Sequence, residues 1–513
     1  MAVAIAFVAF TVLICAWMAL NWLWLRPKKL EKQLRQHGYQ GNSYRFWSGD
    51  KKEERSMLTE AESKPIPLYN HDIAPRVVPF LHKHVSSYGK KSFMWNGPSP
   101  TMIVMDAEMI KEILNKFNIY QKAKTNPLFQ LLIYGLPFYE GDKWAKHRRL
   151  LNPAFHNEKL KCMLPAFDLC CCEMIKKWQE MILEGRNSCE LDVWPSLHKL
   201  TSDVISRTAF GSSYEDGTKV FELQVQQAHL AVETIRSPYI PGSWFLPTKR
   251  NRRMKEIDRQ VRLVLKGIIH KKTKALKSGK GCTDDLLGIL LEANHKEAEL
   301  GDQNVGMSID DVIEECKAFY FAGQETTSVL LVWTMILLSM HPNWQDRARE
   351  EVNQVIGEDK VNVDHLNRLK VVTMILYEVL RLYPPVPILN RNKYDGTELG
   401  ELTLEAGTEI VVPTIIIHQD HHIWGADAKE FNPERFLKGV LNATNGQTAA
   451  FFPFGGGPRI CIGQNFAMLE AKLAMAKILK NFSFELSASY THAPISALTI
   501  QPQYGAILIL HKL

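Results

Sequence analysis

Phe454-Gly-Gly-Gly-Pro-Arg459-Ile-Cys461-Ile-Gly463 is the stretch in which residue types and spacing point most directly at chemistry. Its glycines let the backbone lie against something flat and large. A helical pattern follows from Gln464 to Leu479, so Cys461 stands just before a helix N-terminus. There the helix dipole and free N–H groups favour a thiolate. A single thiolate in an apolar, glycine-rich loop suits a soft axial ligand to iron. Arg459, two residues earlier, can pair an acidic edge of the same cofactor. A phosphate loop is excluded, because no Gly-Lys-Ser/Thr follows. A zinc site is excluded, because no second Cys or His lies at a usable distance. A structural cysteine in a turn is the alternative.

Glu325 and Thr326 form a second group. They stand in Phe319-Tyr-Phe-Ala-Gly-Gln-Glu-Thr-Thr327, and Val329-Leu-Leu-Val332 follows. Polar side chains in so apolar a helix are costly unless they are satisfied. A threonine hydroxyl bonding back to its own helix can open the ladder and bend it. The alternative is a kink filled by packing. Glu378 and Arg381 form a third group, three residues apart and on one helix face. Alone they would be a surface pair of little worth.

The first group resembles Phe-x-x-Gly-x-Arg-x-Cys-x-Gly, the haem-binding signature of the cytochrome P-450 haem-thiolate monooxygenases. All five fixed types are present. At average residue usage such a match arises in on the order of one in ten thousand chains of this length. The resemblance runs over nearly the whole chain in the family's order, with no departure from its motifs. Trp144-x-x-x-Arg148 looks like the helix whose two side chains meet a haem propionate. Ala322-Gly-Gln-Glu-Thr-Thr327 looks like the oxygen-activating turn of the long central helix. Glu378-Val-Leu-Arg381 is similar to the family's Glu-x-x-Arg pair. Phe431-Asn-Pro-Glu-Arg435-Phe436 looks like the loop that completes it. Such a buried network with Arg435 would orient more than it stabilises, and it is expected to support the Cys461 loop without a catalytic role. Arg391 is expected to point at the second propionate, its alternative being a solvated strand arginine.

The resemblance implies haem b, held by Cys461 on the iron and by Trp144, Arg148, Arg391, Arg459, Phe454 and Gly463. It implies O2 as cosubstrate, with Thr326 donating to it and Glu325 relaying protons from solvent. The reaction would insert one oxygen atom into a C–H bond. No flavin or dinucleotide fingerprint is present, so electrons are expected from NADPH through a membrane-bound flavoprotein reductase. Lys143, Lys146, Arg149 and Lys472 could form its basic docking face, or a solvated helix face. The pocket is expected to be largely apolar, with Leu128, Phe129, Leu132, Phe319, Ala322, Val386, Ile388 and Leu498 on its wall. Asn126, Gln130 and Asn390 would add scattered polar contacts. Whole-chain phrasing, such as Lys249-Arg-Asn-Arg-Arg-Met-Lys-Glu256 and Gly463-Gln-Asn-Phe-Ala467, is similar to the plant secologanin-synthase-like branch. That similarity implies a hydrophobic isoprenoid substrate: an iridoid, a gibberellin-type diterpenoid or a triterpenoid. Two other outcomes remain open. One is oxidative C–C ring cleavage of an iridoid glucoside. The other is a haem-thiolate isomerase or dehydratase, against which Glu325-Thr326 speaks.

These groups need a mainly helical body to position them. Helical periodicity marks 106–118, 141–151, 158–184, 195–210, 219–236, 249–278, 308–340, 342–356, 369–382 and 464–481. Strand-like pieces are few: 93–95, 101–105, 409–412 and 506–511. A mainly α fold with a minor β-sheet is expected over 76–513, as one large catalytic domain. Apolar residues are 46% of the 513 and charged ones 23%, which excludes disorder or a rod as the main body. A net charge of +7 over this length is no nucleic-acid signature.

Residues 1–25 carry no charged side chain, and Trp17, Trp22 and Trp24 crowd their end. Such a run covers a hydrocarbon core of roughly 30 Å. Arg26, Lys28, Lys29, Lys32 and Arg35 follow, against Glu31 alone, which orients the body to the cytosol. The expectation is a single-pass anchor in the endoplasmic reticulum membrane, with residues 26–75 as a basic hinge and membrane-proximal tether. A reducing cytosol would leave Cys162, Cys170, Cys171, Cys172, Cys189, Cys282 and Cys316 as free thiols. Asn442-Ala-Thr and Asn481-Phe-Ser would stay unglycosylated. Ser237 to Pro247, apolar and broken by three prolines, is either a buried loop or a surface that dips into lipid.

Overall fold

The computed structural model describes residues 1–123, 125–184, 187–211, 214–237, 242–278, 285–299, 306–393, 398–399, 402–403 and 408–513. Cys282 and residues 238–241 of the proline-broken stretch lie outside the described residues.

The N-terminal helix α1 (Ala2–Leu20) passes through a π-turn at Asn21–Leu25 into α2 (Arg26–Gln36). The stretch Val3–Gln36 is long and apolar enough to cross a membrane; its most apolar 18-residue window has mean hydropathy 2.6 and is not buried in the body, whereas Pro27, Leu30, Glu31 and Leu34 of α2 are buried. Residues 26–75, expected as a tether, hold α2 and a further helix, α3 (Lys51–Glu62). The Tyr44 hydroxyl donates to the Leu23 carbonyl at 2.7 Å, and Trp24 lies against Tyr44 and Phe46. The exit of the apolar helix is therefore bonded to the body.

The body follows the helical expectation closely. Helices α4 (Gly141–Leu151), α5 (Asn157–Glu184), α6 (Val193–Phe210), α7 (Tyr214–Arg236) and α8 (Lys249–Lys277) precede α9 (Ile309–Met340). After it come α10 (Pro342–Val355), α11 (Lys370–Leu382) and α12 (Gln464–Asn481). Helix α9 starts on a capping box: Ser308 accepts from the Asp311 N–H, and Asp311 accepts from the Ser308 N–H. It is apolar enough to pass for a membrane span, but 78% of its most apolar window is buried in the protein, so it is a core helix. Gly323 lets α6 press against it, since a Cβ there would lie 2.7 Å from Ile205 Cδ1.

The strands are more numerous than their propensities suggested. The main sheet runs in the order β1 (Ser92–Asn96), β2 (Ser99–Ile103), β6 (Glu409–Val412), β5 (Leu389–Lys393), β3 (Tyr120–Lys122). A second sheet joins β4 (Ser188–Asp192), β10 (Ile507–Lys512) and β7 (Phe482–Leu486). A hairpin is made by β8 (Pro494–Ser496) and β9 (Ile500–Pro502). Strands of three to five residues such as β3, β5 and β8 carry too little periodicity to be seen alone; their partners create them. The described cysteines form no disulfide, and Cys170, Cys171 and Cys316 are buried.

Candidate active site

The Cys461 loop is built on glycine geometry. Gly457 has φ +62°, and a Cβ on it would lie 2.3 Å from the Leu114 carbonyl oxygen. No other residue fits there. The Gly455 N–H donates to the Phe452 carbonyl and the Cys461 N–H to that of Phe454, both at 2.9 Å. A Cβ on Gly463 would lie 4.0 Å from Cys461 Sγ and 3.9 Å from the Phe155 ring. Desolvation pushes the Cys461 thiol up, while the Gly463 N–H and the Arg148 guanidinium draw it down. Arg148 reaches the loop by donating to the Ile460 carbonyl at 2.9 Å.

Beside the loop lies an excess of positive charge. Arg459 bonds Glu140, and its guanidinium stands 4.5 Å from the Trp144 ring. Its Nη1 is buried without a partner. The register of β3 on β5 sets Lys122 directly opposite Arg391. Desolvation and then the Arg459 charge push the Arg391 pKa down to about 10. Desolvation, then Arg391 and Arg459, push Lys122 well below its ordinary value. Glu140 is the carboxylate that offsets these three cations, and it also accepts from the Lys122 N–H at 2.8 Å. Like charges opposite each other on a sheet repel, so this cluster fits a group that brings carboxylates of its own, as haem does. Lys122 and Glu140 escaped the sequence reading, because only strand register puts them beside Arg391.

On α9, the Thr326 hydroxyl donates to the Ala322 carbonyl at 2.8 Å. The back-bond is as expected, and the helix continues unbroken through it. Glu325 is buried and held from three directions. Thr499 Oγ1 donates to it at 2.6 Å, Gln501 Nε2 donates to the same oxygen, and His198 Nε2 lies 3.1 Å from the other. Gln324 Nε2 lies 2.8 Å from His198 Nδ1, a pattern met by the tautomer protonated on Nε2. Burial alone would raise the Glu325 carboxyl. The bonds from His198, Thr499 and Gln501 outweigh it and hold the group below the ordinary glutamate value. His198, Thr499 and Gln501 come from α6 and the β8–β9 hairpin, and nothing in their local sequence marks them.

His198, Glu325 and Gln501 edge a cavity of about 730 Å³ between α6, α7, α9 and the hairpin. His198, His229, Phe321, Glu325, Leu498 and Gln501 are among its wall. Its surface is largely apolar, and α6 and α7 add polar side chains to it; Gln224 has a buried Oε1 without a partner. Leu128 and Leu132 form a separate apolar cluster, with Phe129, Leu498 and Phe321 packed on it. Other expected wall residues do not border this cavity. Phe319 stacks on Phe155 at 5.5 Å, flanking the Cys461 loop, and Ile388 packs into the main core. Val386 is exposed, and Ala322 is half-buried. Asn126 caps a short helix by accepting from the Leu128 N–H, and Gln130 bonds Thr125. Asn390 is exposed on β5.

The third group is fully buried. Arg381 makes two 2.8 Å bonds to Glu378, and its other N–H groups reach the carbonyls of His418, Ala428 and Glu430. Arg435 bonds Glu378 at 3.3 Å and Asp427 at 2.9 Å. The basic side chains considered for docking are engaged by the body. Lys143 pairs with Asp311, Lys146 with the Gly306 carbonyl and Lys472 with that of Leu366, while Arg149 is exposed.

Residues 68–508 match the family model described as cytochrome P450. The chain is 62% identical over 499 residues to cytochrome P450 72A397 of Kalopanax septemlobus, covering 97% of this chain and 95% of that protein. It is 58% identical over 504 residues to cytochrome P450 CYP72A219 of Panax ginseng, covering 98% and 97%. The solved structure of retinoic acid-bound cyanobacterial CYP120A1 superposes with a TM-score of 0.73 at 23% identity, over 87% of this chain and 98% of that one.

Proposed function

The chain belongs to the cytochrome P450 family of haem-thiolate monooxygenases, which use haem b, O2 and NADPH through a reductase partner, and on that premise we propose that it oxidises a hydrophobic plant isoprenoid at a C–H bond. The substrate class is an iridoid, a gibberellin-type diterpenoid or a triterpenoid. The apolar helix anchors the enzyme in the endoplasmic reticulum membrane, its body faces the cytosol, and a flavoprotein reductase delivers the electrons. The bound haem supplies the oxygen activation.

Each step on the protein side has named residues. Cys461 would ligate the iron from the loop that Gly457 permits. Arg459, Arg391, Trp144 and Arg148 would hold the cofactor's carboxylates, with Phe454 and Gly463 along the loop. Lys122 joins this set through its strand register with Arg391. Thr326, whose hydroxyl donates to the Ala322 carbonyl, would offer that hydroxyl to bound oxygen. Glu325 holds a proton-accepting carboxylate one residue away and opens onto the cavity. Glu378, Arg381 and Arg435 keep the loop's support rigid. The cavity wall supports the substrate class: Phe321 and Leu498 offer an apolar side to a terpenoid skeleton, and His198 and Gln501 offer a polar side to its oxygens.

One observation carries the reading: Glu325 is kept ionised beside Thr326 at the edge of a cavity large enough for such a ligand. That pair argues against an isomerase or dehydratase. The test is turnover by microsomes carrying this chain and a plant reductase, offered an iridoid acid and its ester, a gibberellin precursor and an oleanane triterpenoid. Mass spectrometry should find NADPH- and O2-dependent gain of one oxygen or loss of hydrogen from one class. Silence on all of them with intact carbon monoxide binding would move the substrate outside the isoprenoids. Turnover without O2 would replace the monooxygenase reading.

A further inference from the structure

His418 links the buried arginine network to the cysteine loop. It is fully buried and closes the short helix Thr414–Ile417, its N–H donating to the Thr414 carbonyl at 2.9 Å. Its own carbonyl accepts from Arg381 Nη1 at 2.8 Å. Its imidazole Nε2 accepts from the Phe452 N–H at 3.1 Å, which places the ring proton on Nδ1. The ring packs between Phe451 and Phe452, with centroids 5.2 and 5.1 Å away.

Phe452 is where the cysteine loop begins. A buried backbone N–H must have an acceptor, and no strand partners Phe452. A side chain from a segment 34 residues earlier supplies it. The chain of bonds continues from there. The Phe452 carbonyl accepts from the Gly455 N–H, and the Phe454 carbonyl accepts from the Cys461 N–H. The path from Glu378 to Cys461 thus runs through Arg381, His418, Phe452, Gly455 and its chain neighbour Phe454. Burial, and then the Arg381 charge, push the His418 pKa down to about 3. The ring is neutral in the working range, and its acceptor is always available.

We propose that His418 is a positioning residue for Cys461: its imidazole fixes the start of the loop on the Glu378–Arg381 network and so holds the thiolate in ligating geometry. This rests on the reading of Cys461 as the iron ligand.

His418→Gln and His418→Met test it, because the two side chains have nearly the same volume and only glutamine can accept from the Phe452 N–H. The readouts are the carbonyl spectrum of the reduced holoenzyme, the haem reduction potential and hydrogen exchange at the Phe452 amide. In His418→Met the ratio of thiolate-type to neutral-thiol-type complex should fall by about fivefold, the scale of one ordinary hydrogen bond. The potential should move and Phe452 exchange should quicken. His418→Gln should restore all three towards the parent. A His418→Met enzyme with parental spectrum, potential and exchange would overturn the proposal. So would a His418→Gln enzyme as altered as His418→Met, because packing would then be the cause. Should His418→Met fail to fold, His418→Gln with a parental spectrum beside an altered His418→Ala would still support an acceptor role. An unmutated enzyme without the thiolate-type spectrum would instead remove the Cys461 reading.

Discussion

His198 Nε2 and a carboxylate oxygen of Glu325 lie 3.1 Å apart, joining α6 to α9 across 127 residues of sequence. This contact, with Thr499 and Gln501, reverses the effect of burial and keeps Glu325 ionised. The sign follows. A carboxyl whose folded pKa is depressed contributes stability above its unfolded value, and that contribution is lost as the pH falls through the folded value. His198→Phe removes one bond and leaves the burial, so the Glu325 pKa rises. The acid limb of coupled turnover should then move to higher pH, measured as product per NADPH across a pH series. An unmoved limb would detach His198 from the proton path.

Thr326→Ala removes the hydroxyl that now bonds the Ala322 carbonyl. Haem content should stay at the parental level while NADPH use continues and peroxide accumulates. Product formation should drop by about a hundredfold or more, the lower end of the scale of one general acid–base group. Fully coupled turnover in this variant would take Thr326 out of the mechanism.

Cys461→Ala should bind haem weakly and lose the thiolate-type carbonyl spectrum, with little change in far-UV circular dichroism. The loop's shape comes from Gly457 and the Phe454 carbonyl bond rather than from the thiol.

Lys122→Met should act in opposite directions with and without haem. In the apoprotein it relieves the charge facing Arg391 across β3 and β5, raising stability by up to about 1 kcal/mol. In the holoprotein it removes a partner for the cofactor's carboxylates, so haem should transfer faster to apomyoglobin. Thermal unfolding of the apo form and the transfer rate check the two signs separately.

Arg381→Ala leaves the buried Glu378 with Arg435, at 3.3 Å, in place of two 2.8 Å bonds from Arg381, and leaves three carbonyls without donors. Breaking one side of such a pair costs about 3–5 kcal/mol. The variant should fail to accumulate as holoenzyme. Arg381→Lys should not rescue it, because a single ammonium cannot reach Glu378 and three carbonyls in a planar fork. Expression yield and the carbonyl spectrum report the result.

By itself the sequence determined whatever is encoded in short spacing. Cys461, Arg459 and their glycines lie within ten residues, and their chemistry is legible without a fold. Long helices were legible for the same reason: α4, α9 and α12 repeat their apolar pattern over several turns, and a charge-free run of 25 residues marks the apolar N-terminus. The tertiary structure alone decided which distant groups meet. Lys122 faces Arg391 only through the register of two strands too short to carry a pattern. His198, Thr499 and Gln501 converge on Glu325 only after α6 and a hairpin close over α9. Phe319 and Phe321, two residues apart on one helix, part company because a helix turns about 100° per residue and different neighbours await each face. Local spacing writes the ligand loop into the chain, whereas the charge of the site and the polarity of its cavity depend on contacts between elements that the chain brings together only by folding.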